Sequence, residues 1–147
     1  MYKNILIPTD GSALSRAAAK KGIKLAKSLG ARVTAFFAAP APTPVIYKGI
    51  LPVGFSQPKA HAAAIEKAAA RYLGAIEKMA KAAGVKCKSV HVIDDFPAAA
   101  ILKTASKEKC DLIVIASHGR SGLARAVMGS ETRKVIYQAK IPVLVQR

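Results

Sequence analysis

The sequence has no tryptophan and only four tyrosines and four phenylalanines. That scarcity leaves no aromatic platforms of the kind on which single-strand nucleic-acid binders stack bases. Its two cysteines, Cys87 and Cys110, lie far apart without CxxC or Cys/His spacing. A disulfide framework and a zinc site are therefore not expected, and each cysteine reads as a small buried apolar residue. The three histidines, His61, His91 and His118, are too scattered to suggest a metal cluster. No apolar run reaches the roughly 18 residues that cross a bilayer. The start, Met1-Tyr-Lys-Asn-Ile-Leu-Ile7, is already strand-like and not a leader. The expectation is a soluble, cytoplasmic protein with no membrane partner.

Acidic residues are the other shortage. Eight Asp and Glu face 24 Lys and Arg, a formal net charge of +16. Such a balance invites polyanions. Yet the cations are spread along the chain, with Lys20, Lys24 and Lys27 on one helix and Lys67, Arg71, Lys78 and Lys81 on the next. A solvated surface accounts for that pattern better than a nucleic-acid site does, so nucleic acid is not the expected partner.

With 147 residues, 52 % of them hydrophobic, the chain suits one domain over 1–147 with one unstapled core. Strands are expected at Tyr2 to Pro8, Arg32 to Ala39, Val85 to Ile93, Asp111 to Ala116 and Ile141 to Val145. Helices are expected from the Ser12 cap to Leu29, from about Lys59 to Ala83, at Pro97 to Lys107 and at Ser130 to Gln138. Gly30 and Gly84 stop the first two helices. Leu14, Ala18, Gly22, Leu25 and Leu29 mark the apolar stripe of the first. Ile65, Ala69, Tyr72, Ile76, Met79 and Ala83 mark that of the second. Residues 40 to 58 hold five prolines and read as a loop. Strands alternating with helices predict an α/β fold, a doubly wound five-stranded parallel sheet with helices on both faces.

In such a sheet, ligands bind beyond the carboxyl ends of the strands, where strand order reverses. Two polar segments follow strands directly: Thr9-Asp10-Gly11-Ser12, and the run from Ala116 to Ser130. The second holds three glycines, Gly119, Gly122 and Gly129, and ends in Gly129-Ser130 at a helix start. Strand, glycine loop and helix N-terminus is a phosphate-binding arrangement. A plain turn with glycines for tight packing explains the same spacing. If strands one and four are neighbours, both loops meet at one crevice.

At these residues the chain resembles the universal stress proteins of the small, single-domain bacterial type. The likeness covers Tyr2-Lys-Asn-Ile-Leu-Ile-Pro-Thr-Asp-Gly-Ser12, Asp94-Asp95-Phe96-Pro97, Ser117-His-Gly-Arg-Ser-Gly122, Gly129-Ser130 and Ile141-Pro142-Val-Leu-Val145. It implies strand order 3-2-1-4-5. The family's ATP-binding members carry Gly, two residues, Gly, nine residues, then Gly followed by Ser or Thr. Gly119, the nine residues from Arg120 to Met128, and Gly129-Ser130 fit, whereas Ala116 replaces the first glycine.

The resemblance implies ATP, with or without magnesium or manganese, as cofactor of a regulatory stress-response module. Asp10, with Pro8 and Thr9 beside it, would lie near adenine and ribose, and Ala38 late in strand two would touch the base. Gly119, Gly129, Ser130 and Arg120 would hold the phosphates. Ser12, Ala116, His118 and Glu131 complete the candidate set. From the residues alone, Asp10 can equally form an Asx-turn and Ser130 an ordinary helix cap. Glu131 suits a helix-dipole partner, and His118 a bond to the loop backbone or contact with solvent.

No catalytic or metal-ligating set is expected. The run is not a P-loop, because no Lys precedes Ser130. Slow ATP hydrolysis or phosphoryl transfer on the same site is the alternative, and polyanion binding a further one. The last strand should end the sheet with an exposed apolar edge. Similar family members dimerise through this strand, so a homodimer is expected.

Overall fold

The protein is described by a computed structural model covering residues 1–41, 58–119 and 128–147. Five strands and four helices alternate: β1 (Asn4–Pro8), α1 (Ala13–Leu29), β2 (Arg32–Ala39), α2 (Pro58–Ala83), β3 (Cys87–Ile93), α3 (Pro97–Lys107), β4 (Leu112–Ala116), α4 (Ser130–Gln138) and β5 (Val143–Gln146). All four strand pairings are parallel, in the order β3-β2-β1-β4-β5. The doubly wound sheet and its strand order are as expected from the sequence.

Period-two alternation divides the sheet into two buried faces. Ile5, Ile7, Val33, Ala35, Phe37, Leu112 and Val114 pack beneath α1 and α2. Leu6, Phe36, Ile113 and Ile115 pack beneath α3 and α4. The central strands β1 and β4 are buried at every residue. The edge strands β3 and β5 are only part-buried.

Several boundaries differ from expectation, each for a local reason. β1 begins at Asn4 because the Asp111 carboxylate accepts from the Lys3 and Asn4 amides at 2.8 and 3.0 Å. A side chain replaces the first rungs of the ladder there. β3 begins at Cys87, not Val85. Val85 N donates to Ala80 O at 2.9 Å across left-handed Gly84 (φ +73°), so it still belongs to the end of α2. β5 begins past Pro142, whose missing N–H shortens the strand.

The helix stripes also shift. In α1 the buried residues are Ser15, Ala18, Ala19, Gly22, Ile23 and Ala26, while Leu14, Leu25 and Leu29 sit half-buried at its flanks. Small residues let α1 lie close on the sheet, and a Cβ on Gly22 would stand 2.7 Å from Ile7 Cδ1. In α2, Leu73 and Ala80 join Ile65, Ala69 and Ile76 in the core, whereas Tyr72, Met79 and Ala83 are part-buried.

Candidate functional site

Because β1 and β4 are neighbours, the loops after them open at one end of the sheet. A cleft of about 570 Å³ lies there, lined from the β1 end, β2, α3 and the β4–α4 connection. Pro8, Thr9, Asp10, Ala38, Ala116, His118, Gly119, Gly129, Ser130 and Glu131 all line it. Ser12 does not. It is the N-cap of α1, its hydroxyl accepting from Ser15 N at 3.2 Å. Arg120 lies outside the described residues.

The β1 loop is held by its own side chains. Thr9 Oγ1 accepts from Gly11 N at 3.1 Å and meets Ser15 Oγ at 3.1 Å. Asp10 Oδ1 accepts from Ser12 N at 2.9 Å, the Asx-turn that its position allowed. Its other oxygen faces Gly119, where any Cβ would overlap Asp10 Oδ2. Gly11 has φ +79°, and a Cβ on it would run into the ring of Tyr72 from α2. The Arg16 guanidinium donates to Gly11 O at 3.2 Å.

The connection from β4 to α4 is pinned at both ends. Gly129 N donates to Ser117 O at 2.7 Å, and Thr132 Oγ1 donates to Ala116 O at 2.9 Å. Gly129 has φ −59°, so glycine is needed for space rather than for left-handed backbone. A Cβ there would stand 3.1 Å from His118 Cα and 3.4 Å from Ser117 O. His118 Nδ1 lies 3.0 Å from Ser117 Oγ, a local bond between neighbouring side chains. Ala116 ends β4 in extended backbone opposite Gln146. Its φ is not positive, so the alanine carries no conformational strain.

The two helix starts at the cleft differ in charge. At α3, Ala98 N donates to Glu131 Oε2 at 3.0 Å, so a carboxylate from α4 serves that N-terminus. Glu131 Oε1 also takes a bond from Lys134 Nζ at 3.0 Å. At α4 no side chain among the described residues caps the first turn: N-cap Gly129 has none to offer. The amides of Ser130, Glu131 and Thr132 precede the first intrahelical bond, from Arg133 N to Gly129 O at 3.1 Å. An open helix N-terminus with partial positive charge thus borders the cleft. Arg133 lines the same wall.

Reasoning from the sequence missed part of the lining: Ser15, Phe36, Pro97, Ile101, Ile115, Met128, Thr132 and Arg133. Phe36 was readable from period two, since it shares a sheet face with Ala38. Phe37 points the other way and meets Tyr72 edge-on, with ring centroids 5.3 Å apart. Arg133 is one helical turn beyond Ser130, a spacing that carries a cation along α4. Among the described residues, no group of three His, Cys, Asp or Glu could hold a metal ion. Burial pushes the Cys87 and Cys110 thiols above their ordinary value, so neither is a ready nucleophile.

The sequence matches the universal stress protein family over residues 1–147. The chain belongs to that family. It is 37 % identical to the universal stress protein MJ0531 of Methanocaldococcus jannaschii over 145 residues, 99 % of this chain and 82 % of that one. The solved structure of MJ0577, from the same organism, is 27 % identical with a TM-score of 0.78, covering 99 % of this chain and 95 % of that one. A universal stress protein solved in complex with cAMP shares the fold (24 % identity, TM-score 0.72, coverage 99 % and 97 %). So does one from Archaeoglobus fulgidus in complex with dAMP (19 % identity, TM-score 0.65, coverage 99 % and 98 %). Adenine nucleotides therefore bind other proteins of this fold. No helix among the described residues is long and apolar enough to cross a membrane.

Proposed function

We propose that this universal stress protein is a regulatory module that binds an adenine nucleotide, ATP by its loop spacing, in the cleft between the β1 and β4 loops. The observation that carries the reading is the N-terminus of α4, uncapped among the described residues, bordering the cleft. Bare amides there, with Ser130 and Arg133, offer donors and positive charge to phosphate oxygens. Phe36, Ala38, Ile101 and Ile115 supply an apolar wall for the base, and Asp10 stands where hydroxyls of a ribose would be received. The nine residues between Gly119 and Gly129 carry Arg120 and Arg125, two further cations for a polyphosphate. Magnesium or manganese would enter with the nucleotide and be held chiefly by its phosphates.

The same reading assigns a homodimer built on β5. This strand is the sheet edge beyond β4, and Leu144 is 41 % exposed there, with Ile136 and Tyr137 of α4 exposed as well. An apolar edge is stable when a second copy pairs with it. A cytoplasmic setting, where nucleotide is abundant, suits such a module.

Isothermal titration with ATP, ADP and cAMP tests the ligand, with phosphate release measured alongside. Saturable binding of ATP without appreciable turnover is expected. Absence of binding at millimolar nucleotide would overturn the assignment. Light scattering at micromolar concentration reads the dimer, and a monomer there would refute it.

A further inference from the structure

Scattered in sequence, the cations converge in space. α1 and α2 pack side by side over one face of the sheet. α1 carries Arg16, Lys20, Lys21, Lys24 and Lys27 and no acid, while α2 carries Lys59, Lys67, Arg71, Lys78 and Lys81 against Glu66 and Glu77. Both acids of α2 turn to the β3 edge. Glu66 Oε1 lies 3.3 Å from His91 Nε2, and Glu77 accepts from Ser89 Oγ. Lys20, Lys24, Lys27, Lys67, Arg71, Lys78 and Lys81 are exposed, opposite the buried stripes of their helices. Among the described residues none of the seven is in an ion pair. Arg16 is set apart by its bond to Gly11 O.

We propose that the outer face of α1 and α2 is a docking surface for the phosphate backbone of double-stranded nucleic acid, without sequence preference. A surface built only for solubility interleaves both signs of charge, and here one sign has been moved to the edge. The Lys67-to-Lys81 row spans about 21 Å at 1.5 Å rise per residue. Along a duplex strand that length holds about six phosphates, one per 3.4 Å. The α1 row runs beside it at a helix-packing distance of about 8–10 Å. Single strands are disfavoured because the aromatic on these helices, Tyr72, is part-buried against Phe37. A lipid surface is disfavoured because an interfacial helix buries large apolar side chains. The exposed ones among the described residues, Met1, Ile93, Phe96, Ile136, Tyr137 and Leu144, all lie off α1 and α2.

The test compares two variants of equal charge. Lys20→Gln/Lys24→Gln/Lys67→Gln/Arg71→Gln neutralises the face. Lys103→Gln/Lys107→Gln/Lys140→Gln/Arg147→Gln removes four exposed cations elsewhere. Circular dichroism checks that both fold, and ATP titration reports the cleft separately. Fluorescence anisotropy with a mixed-sequence duplex of about 20 base pairs, from about 50 to 200 mM salt, reads affinity and its salt slope. For wild type, log K should fall linearly with log salt. The face variant should lose at least about tenfold in affinity at low salt, with a slope shallower by about 3 to 4, at 0.9 per phosphate contact. The control variant should retain most of both. Equal losses in the two variants would mean that net charge alone drives binding and would overturn the proposal. So would no duplex binding at low salt, or tighter binding of the same face to vesicles rich in anionic phospholipid than to the duplex.

Discussion

Asp10 and Gly119 are fitted to each other: the Asp10 carboxylate occupies the space that a side chain at position 119 would fill. The two cleft loops are therefore in register only while residue 119 lacks a Cβ. Gly119→Ala should push Asp10 aside and weaken ATP binding, with the fold retained. Asp10→Ala alone should cost about 1.5–3 kcal/mol if it removes a charged hydrogen bond to the ligand. The double variant should bind no worse than Asp10→Ala, because the alanine at 119 then meets no carboxylate. Titration of all four proteins closes the cycle, and additive losses would contradict this coupling.

Gly129 is tight against backbone rather than open to solvent. A methyl group would press on His118 Cα at 3.1 Å, so Gly129→Ala should shift the loop slightly and Gly129→Val should shift it far. Both changes should lower ATP affinity in that order. The valine should also lower the urea midpoint, by about 1–3 kcal/mol of overpacking. A valine variant with wild-type affinity would show that this stretch of backbone does not face the ligand.

Glu131 serves α3 more than the cleft. Glu131→Ala leaves the Ala98 amide without its carboxylate and should cost about 1 kcal/mol of stability, the usual effect of losing a helix cap. ATP affinity should stay equal or rise, since a negative charge leaves the cleft wall. A marked drop in affinity without loss of stability would instead make the carboxylate a ligand contact.

Acid should loosen the far end of the sheet. Lys88 Nζ donates to Glu108 Oε2 at 2.6 Å, and this bond holds the Glu108 carboxyl below its ordinary value. A carboxyl lowered in the folded state stabilises at neutral pH, and that stability is lost as pH falls through the folded value. Glu108→Gln should therefore narrow the gap between stability at pH 7 and stability in acid. Urea unfolding across that range measures it, and an unchanged gap would assign the pair no role.

The fold was legible because hydrophobic period and punctuation agree. Pro97 opens α3, Gly30 and Gly84 close α1 and α2, and unbroken apolar runs mark β1 and β4. The cleft was legible as two loops, since both follow central strands. What stayed hidden depends on partners distant in sequence. Asp111 trims β1 from 107 residues away, and Glu131 reaches α3 across 33 residues. Ala18 and Gly22 of the expected α1 stripe are buried, but Ala19 and Ala26 outrank its leucines because close approach to the sheet rewards small residues. The gathering of cations on one side likewise requires knowing which helices are neighbours.

The Glu131 bridge has a mechanical side. It fastens the start of α3 to the start of α4, and Thr132 fastens α4 to the end of β4. β1 and β4 are buried throughout, and a close-packed sheet does not bend by degrees. An occupant pulling on the amides of α4 would thus draw α3 along with it while the sheet stands still. Such a displacement would fall on one pair of helices, and α4 leads directly to β5. A signal from the mouth of the cleft would leave the protein at that edge.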